Sequence, residues 1–254
     1  MTNQKPALID RVLRVVTPTP VRSFAPPPRH LSDNLCVIER QLRMPGALIM
    51  PTRMTLIRLP SGGLVLLSPI ELRSDVAAAL RSLGPVEAIV APNSFHYLFA
   101  ADYLAAFSGA RLFVAPGLPV RVPSLPTAIL LTDEPAPLWT DTIDQCVFEA
   151  TGGISEVMFF VRPDRTLMLT DIAFNLRRID GLYNRVAWRL MGVPRRFGPS
   201  RSARLTLFRD PAVAGPFLKR MLAWDFRRII VAHGEIIEHD GQGEVRRAFA
   251  RYLR

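Results

Sequence analysis

The sequence of 254 residues is poor in cysteine, with two, and nearly devoid of lysine, which occurs only as Lys5 and Lys219. Two thiols cannot build a disulfide framework. Cys36 and Cys146 lie far apart, each inside an apolar strand-like run, which predicts buried free thiols and a reducing, cytoplasmic setting. Long apolar runs are missing too: none approaches the roughly 18 residues that a spanning helix needs. Asp10, Arg11 and Arg14 break up the apolar residues of the N-terminus, which makes it a poor signal peptide. No GxxxxGK(S/T), no CxxC pair and no dinucleotide fingerprint occurs, and no specific nucleic-acid motif is present.

What is there is apolar. Hydrophobic residues make up 49% of the chain, and mean hydropathy is positive at +0.18, so one large α/β core can be buried. Residues 1–30 include TPTPVRSFAPPPRH, a proline-rich arm whose rings block helix and sheet ladders, and this predicts an extended tail ahead of a single domain over 31–254. Strands are expected at 35–39, 54–59, 64–68, 88–90, 111–115 and 143–148. Helical spacing marks 71–83 and 97–107, whereas 118–142 reads as a loop.

Between residues 176 and 228 there are 13 basic and 3 acidic residues, against 19 of each elsewhere, so the entire formal +10 lies in this segment. It is expected to form amphipathic helices at 182–191 and 211–224 around a basic Pro/Gly loop at 193–202. A last strand at 229–232 and a closing helix at 244–253 follow. Arginine bias alone would spread over the chain, so the localised charge suggests an acidic small molecule or an anionic membrane surface as partner.

Residues 149–175, EATGGISEVMFFVRPDRTLMLTDIAFN, organise the rest. The runs 157–161 and 166–170 read as strands joined by a Pro163-Asp164 turn, and Asp171 follows at the strand's end. A lone carboxylate there costs desolvation unless a cation, a donor or a metal meets it. The order TGG-x-S-x-x-V-x-F-F, turn, TLMLTD-x-x-F resembles the TPGH(S/T) and LFTGD stretches of the metallo-β-lactamase superfamily. Residues 89–96, IVAPNSFH, fall where that family carries HxHxDH, and 229–234, IIVAHG, where it ends a core strand with a metal-binding His-Gly. The resemblance runs from about residue 35 to 237. It implies a four-layer αββα sandwich and points to an uncharacterised branch whose metal motif is eroded.

Residue by residue, the resemblance puts Ala91, Asn93, Phe95 and Ile154 at ligand positions whose family residues are lost, and His96, Asp171 and His233 at ligands of the second site. Side chains without lone pairs cannot bind zinc, so the expected complement is no metal or one divalent ion, Zn or Fe, at His96, Asp171 and His233, with Asn93 in the same pocket. The alternative is a metal-free cluster in which both imidazoles hydrogen-bond Asp171. Three functions follow: a degenerate hydrolase-like or ligand-binding protein, a mononuclear metal-dependent hydrolase, and a module for anionic surfaces. Other candidates are weaker. Ser68 and Ser94 lie outside any Gly-x-Ser-x-Gly elbow and are expected to be exposed or capping. Residues 151–153 could form an anion nest, and His30 and His239 read as surface residues.

Overall fold

From the first long strand onward, successive side chains point to opposite faces of the sheet and both faces are largely buried. The computed structural model describes residues 18–150, 153–193 and 196–253. Short strands β1 (Thr19–Pro20) and β2 (Arg29–His30) both pair with β3 (Leu35–Arg43). After β3 come β4 (Ile49–Arg58), β5 (Leu64–Leu67), helix α1 (Ser74–Leu83), β6 (Val86–Ala91), α2 (Ala100–Ala106), β7 (Arg111–Val114), α3 (Leu118–Arg121) and β8 (Ile129–Leu130). These strands form one sheet, antiparallel through β3, β4 and β5 and parallel through β5, β6, β7 and β8. The second sheet contains β9 (Ile143–Ala150), β10 (Ile154–Val161), β11 (Thr166–Leu169) and β12 (Arg228–Val231), in the order β12-β11-β10-β9. Helices α4 (Leu182–Leu190), α5 (Arg201–Leu205) and α6 (Pro211–Leu222) lie between β11 and β12, and α7 (Gly241–Ala248) follows.

Three apolar layers follow from the alternation. Leu35 and Val37 of β3 meet Val157, Phe159 and Val161 of β10 in the core between the sheets. Their neighbours Cys36 and Ile38 face outward onto Val76 and Leu80 of α1 and Tyr103 of α2. Met158 and Phe160 of β10 face the opposite way, onto Phe217, Leu218 and Met221 of α6. The result is the expected αββα sandwich. Cys36 and Cys146 are both buried and free, and they lie in opposite outer layers, where no disulfide can join them.

Several local expectations are corrected. Strands β3 and β4 extend past the expected 35–39 and 54–59 because they stay in register from Leu35↔Ile57 to Arg43↔Ile49. Their buried arginines meet acids: Arg53 bonds Glu39 across the ladder at 2.6 Å, and Arg40 bonds Asp75 of α1 at 2.8 Å. Proline content predicts no ladder for the N-terminal arm, yet residues 19–20 and 29–30 pair with β3, the prolines at 26–28 falling between those pairs. The part of the arm before residue 18 lies outside the described residues. The expected loop at 118–142 holds α3 and β8. The expected loop at 193–202 ends in α5, whose Ser200 cap accepts from the backbone of Ala203 at 3.1 Å. Among the described residues no helix is long and apolar enough to cross a membrane.

The outer layer on the second sheet turns on Phe217, which stacks on Phe148 with ring centres 4.1 Å apart. Phe217→Ala should cost about 3–5 kcal/mol and lower the urea midpoint without loss of far-ultraviolet circular dichroism. A change below about 1 kcal/mol would mean that α6 packs elsewhere.

Candidate metal centre

Asp171, His96 and His233 come from three separate turns, and Asp171 and His233 are held by Glu156 and Arg53, which the sequence reading did not single out. Asp171 follows β11. The β10–β11 register, Phe159↔Met168 through Val161↔Thr166, continues to place Glu156 opposite Asp171. Glu156 is buried, and its carboxylate accepts from the backbone N–H groups of Thr170 (3.0 Å), Asp171 (3.0 Å) and Ile172 (3.1 Å) and from the Thr170 hydroxyl (2.7 Å). One buried side chain thus gathers the whole turn that presents Asp171.

Asn93, just beyond β6, works from the opposite side. Its Oδ1 accepts from the backbone N–H of Phe95 (2.9 Å) and His96 (3.0 Å), a side-chain turn that sets the direction of His96. Its Nδ2 donates to Asp171 Oδ2 at 2.8 Å and reaches Thr170 Oγ1 at 3.1 Å. Ser68 meets His96 Nδ1 through its hydroxyl. Ser68 has a left-handed backbone with φ 61°, unfavourable for a residue with a Cβ. That strained turn at the end of β5 aims the hydroxyl into the cluster. The expectation that Ser68 and Ser94 are exposed or capping is corrected, since both are buried by the packed strand ends around them.

His233 follows β12 and stacks on Phe174 at 5.1 Å. Its Nδ1 lies 2.8 Å from the carbonyl oxygen of Pro51. A carbonyl only accepts, so Nδ1 of His233 carries a proton and Nε2 is the nitrogen that faces Asp171. Buried Arg53 donates to the carbonyls of Val231 and, at 2.6 Å, Gly234, which bracket the histidine. Gly234 has φ +108°, and a Cβ there would lie 2.2 Å from the Asn175 carbonyl oxygen. Only glycine lets the chain after His233 close on the segment after Asp171.

The three groups converge. His233 Nε2 lies 3.3 Å from His96 Nε2 and 3.3 Å from Asp171 Oδ1, and His96 Nε2 lies 3.5 Å from Asp171 Oδ2. Their ligand atoms all fall within 4.8 Å of one another. Both histidines are buried and Asp171 is half-buried. Burial would raise the Asp171 pKa, but the charges and hydrogen bonds of His96 and His233 outweigh it and hold the carboxyl well below the usual carboxylate range. Burial and the nearby Asp171 charge act the other way on Glu156, pushing it up to about 7.

Of the remaining sequence candidates, Asn93 and Ser68 reach the cluster. Ala91 packs its methyl among the residues under α1 and α2, Phe95 is exposed, and Ile154 packs against the outer core of the second sheet. His30 and His239 are exposed and apart from the site. The nest considered at 151–153 rests on Thr151 and Gly152, which lie outside the described residues. Of the basic segment 176–228, α4 lies nearest the cluster, through Trp188 and Phe174. α5 and α6 pack on the far face of the second sheet through Ala203, Ala214 and Phe217.

Two sheets face to face between helical layers, with histidines and an aspartate collected at strand ends, define a metallo-β-lactamase fold. DIM-1 metallo-β-lactamase exposed to ceftazidime aligns over 90% of this chain and 99% of its own, with TM-score 0.60 and 13% identity. A metallo-β-lactamase from Pontibacter korlensis gives 89% and 99%, TM-score 0.60 and 9% identity. FIM-1 from Pseudomonas aeruginosa, in its mono-zinc form, gives 94% and 97%, TM-score 0.58 and 10% identity. At such identities the likeness concerns the fold alone. Within that fold the chain belongs to the family described as domain of unknown function DUF4336, whose model matches residues 33–179. No curated protein matches the sequence.

Because the folded-state pKa of Glu156 is raised to about 7 from 4.5, the native state holds a proton that the unfolded chain has lost between these values. Stability from this group therefore falls as pH rises through that window, by up to about 3 kcal/mol. Asp171, shifted downward, contributes in the opposite sense and only at lower pH. Glu156→Gln should remove the downward slope in urea-unfolding free energy between about pH 4.5 and 7. Identical slopes in the two proteins would refute the assignment.

Proposed function

We propose that this protein is a metallo-β-lactamase-fold member that has lost the binuclear centre and keeps one divalent-cation site, formed by His96, Asp171 and His233. The observation that carries this reading is the donor spacing. Tetrahedral zinc with ligands at about 2.0–2.2 Å requires them to be roughly 3.3 Å apart; His233 Nε2 lies 3.3 Å from both His96 Nε2 and Asp171 Oδ1, and His96 Nε2 lies 3.5 Å from the other carboxylate oxygen, Oδ2, so the carboxylate would face one ion with both oxygens. Two imidazoles and a carboxylate suit zinc, and ferrous iron accepts the same set. Asp171 brings a negative charge that a cation would balance, and the Pro51 carbonyl and Ser68 hydroxyl behind the two Nδ1 atoms are the outer partners that ligating histidines use. Ala91, Phe95 and Ile154 offer no lone pair for a second ion, and Asn93 is occupied with Asp171 and the backbone of His96.

A bound ion would supply Lewis acidity and a water of lowered pKa. The residues of the chain hold the site: Glu156 and Asn93 orient the Asp171 carboxylate, Ser68 orients His96, and Arg53 and Gly234 set the approach of His233. Any activity belongs to the metal-dependent hydrolases, in a degenerate form, because a single ion cannot clamp both the attacking and the leaving oxygen as a pair can. An acidic small molecule is the favoured ligand given the arginines of 176–228, and the free buried thiols favour a cytoplasmic setting.

Elemental analysis of protein purified without a metal-affinity tag should find at most one transition metal per chain, and none after His96→Ala combined with His233→Ala. Two tightly bound ions would overturn the reading, and metal-free wild type that stays empty after dialysis against zinc would leave the hydrogen-bonded cluster in its place. β-Lactam, thioester and phosphodiester turnover should be at or near background. Robust chelator-sensitive hydrolysis lost in Asp171→Ala would instead favour a competent mononuclear hydrolase.

A further inference from the structure

Helix α4 presents an apolar stripe away from the body of the protein. Three contacts fix its orientation: Trp188 Nε1 donates to the Ile49 carbonyl at 3.0 Å, Asn184 Oδ1 accepts from Ile49 N–H at 3.1 Å, and the Tyr183 hydroxyl donates to the Gly46 carbonyl. Trp188 is buried with Leu48, Phe174, Leu176 and Val193. At about 100° per residue, Leu182, Val186 and Leu190 centre roughly 160° around the helix from Trp188. Leu182 and Leu190 are each 70% exposed, Val186 49% and Met191, at the helix end, 52%. α5 begins beside the end of α4, where a Cβ on Gly192 would lie 2.5 Å from Cβ of Arg201. A helix anchored by one tryptophan with its aliphatic stripe outward has its two faces assigned the wrong way round for water.

The surrounding charge identifies what covers it. Arg185 and Arg189 border the stripe, Arg177 and Arg178 precede it, and Arg201 and Arg204 lie on α5; all six are exposed. Between residues 176 and 193 one acid, Asp180, stands against four arginines. Among the described residues no carboxylate forms an ion pair with Arg185, Arg189, Arg201 or Arg204. A second copy of the chain would bring arginine against arginine. Residues 1–17 would do the same, since they carry Lys5, Arg11 and Arg14 against one Asp10. A raised aliphatic ridge rimmed by long cationic side chains suits a plane of anionic headgroups, with the leucines in the acyl boundary and the guanidinium groups at the phosphates.

We propose that α4, with the rim of α5, docks this protein on the surface of an anionic phospholipid bilayer. The same helix is one packed layer from the metal centre, because Phe174 lies in the Trp188 cluster and stacks on His233. Docking would therefore hold that cluster close to the lipid surface. The proposal does not depend on a bound metal.

Co-sedimentation with phosphatidylcholine vesicles, with and without phosphatidylglycerol, tests it in low and high salt. Wild type should pellet with the phosphatidylglycerol vesicles at low salt, stay in solution with phosphatidylcholine alone, and release as salt rises. Arg185→Gln with Arg189→Gln should weaken partitioning roughly thirty-fold. Leu182→Ser, Val186→Ser and Leu190→Ser together should bring it to background while the thermal midpoint stays near that of wild type, the replaced side chains being exposed. Binding to neither vesicle, or equal binding by wild type and both variants, would overturn the proposal. So would a wild-type dimer on gel filtration that the triple variant converts to monomer without any vesicle binding, since the stripe would then be a self-interface.

Discussion

The site depends on the burial of one carboxylate. Glu156 lies near the start of a strand that is apolar from Val157 on, and its oxygens collect the backbone N–H groups of Thr170, Asp171 and Ile172. An unpaired buried carboxylate would be prohibitively costly, so the turn after β11 has to bring its donors to this point. That turn carries Asp171, and Asp171 in turn sets the place where His96 and His233 meet. Removing Glu156 would leave the cluster without the element that aims its only acid.

From Asp171 the constraint spreads through both sheets. Asn93 at the end of β6 answers the same carboxylate from the first sheet, and Arg53 and Pro51 of β4 hold the His233 turn from across the interface. Each histidine therefore has a partner behind it, and the cluster is made where strand ends of two facing sheets converge. This is the position at which a sandwich of this kind can bring side chains from distant parts of a chain together without opening its core. The left-handed Ser68 and the close approach at Gly234 are local conformational costs accepted to form it.

The basic segment between β11 and β12 divides into parts with different roles. α5 and α6 bury small and aromatic residues against the second sheet. α4 buries little beyond Trp188 and leaves its aliphatic stripe and arginines in solvent. Part of the localised positive charge thus borders a helix whose apolar stripe is exposed. A fold needing only solubility would have no use for that coincidence.

Much of this protein was legible in its linear order. The apolar runs at 35–38 and 157–161 marked buried strands, because a run without polar interruption leaves no face for water. The stretches around His96, Asp171 and His233 carried the resemblance and the three candidate ligands. Glu156 was within reach too: the turn at Pro163-Asp164 implies a register that sets it opposite Asp171. What only the tertiary structure decided were the relations between segments with no periodic signature. Ser68 against His96, Arg53 against the carbonyls beside His233, the ladder bonds of the proline-rich arm and the outward face of α4 all join residues distant in sequence. The reason is that local pattern specifies whether a side chain can be buried, whereas the identity of its partner is set by how the sheets and helices pack.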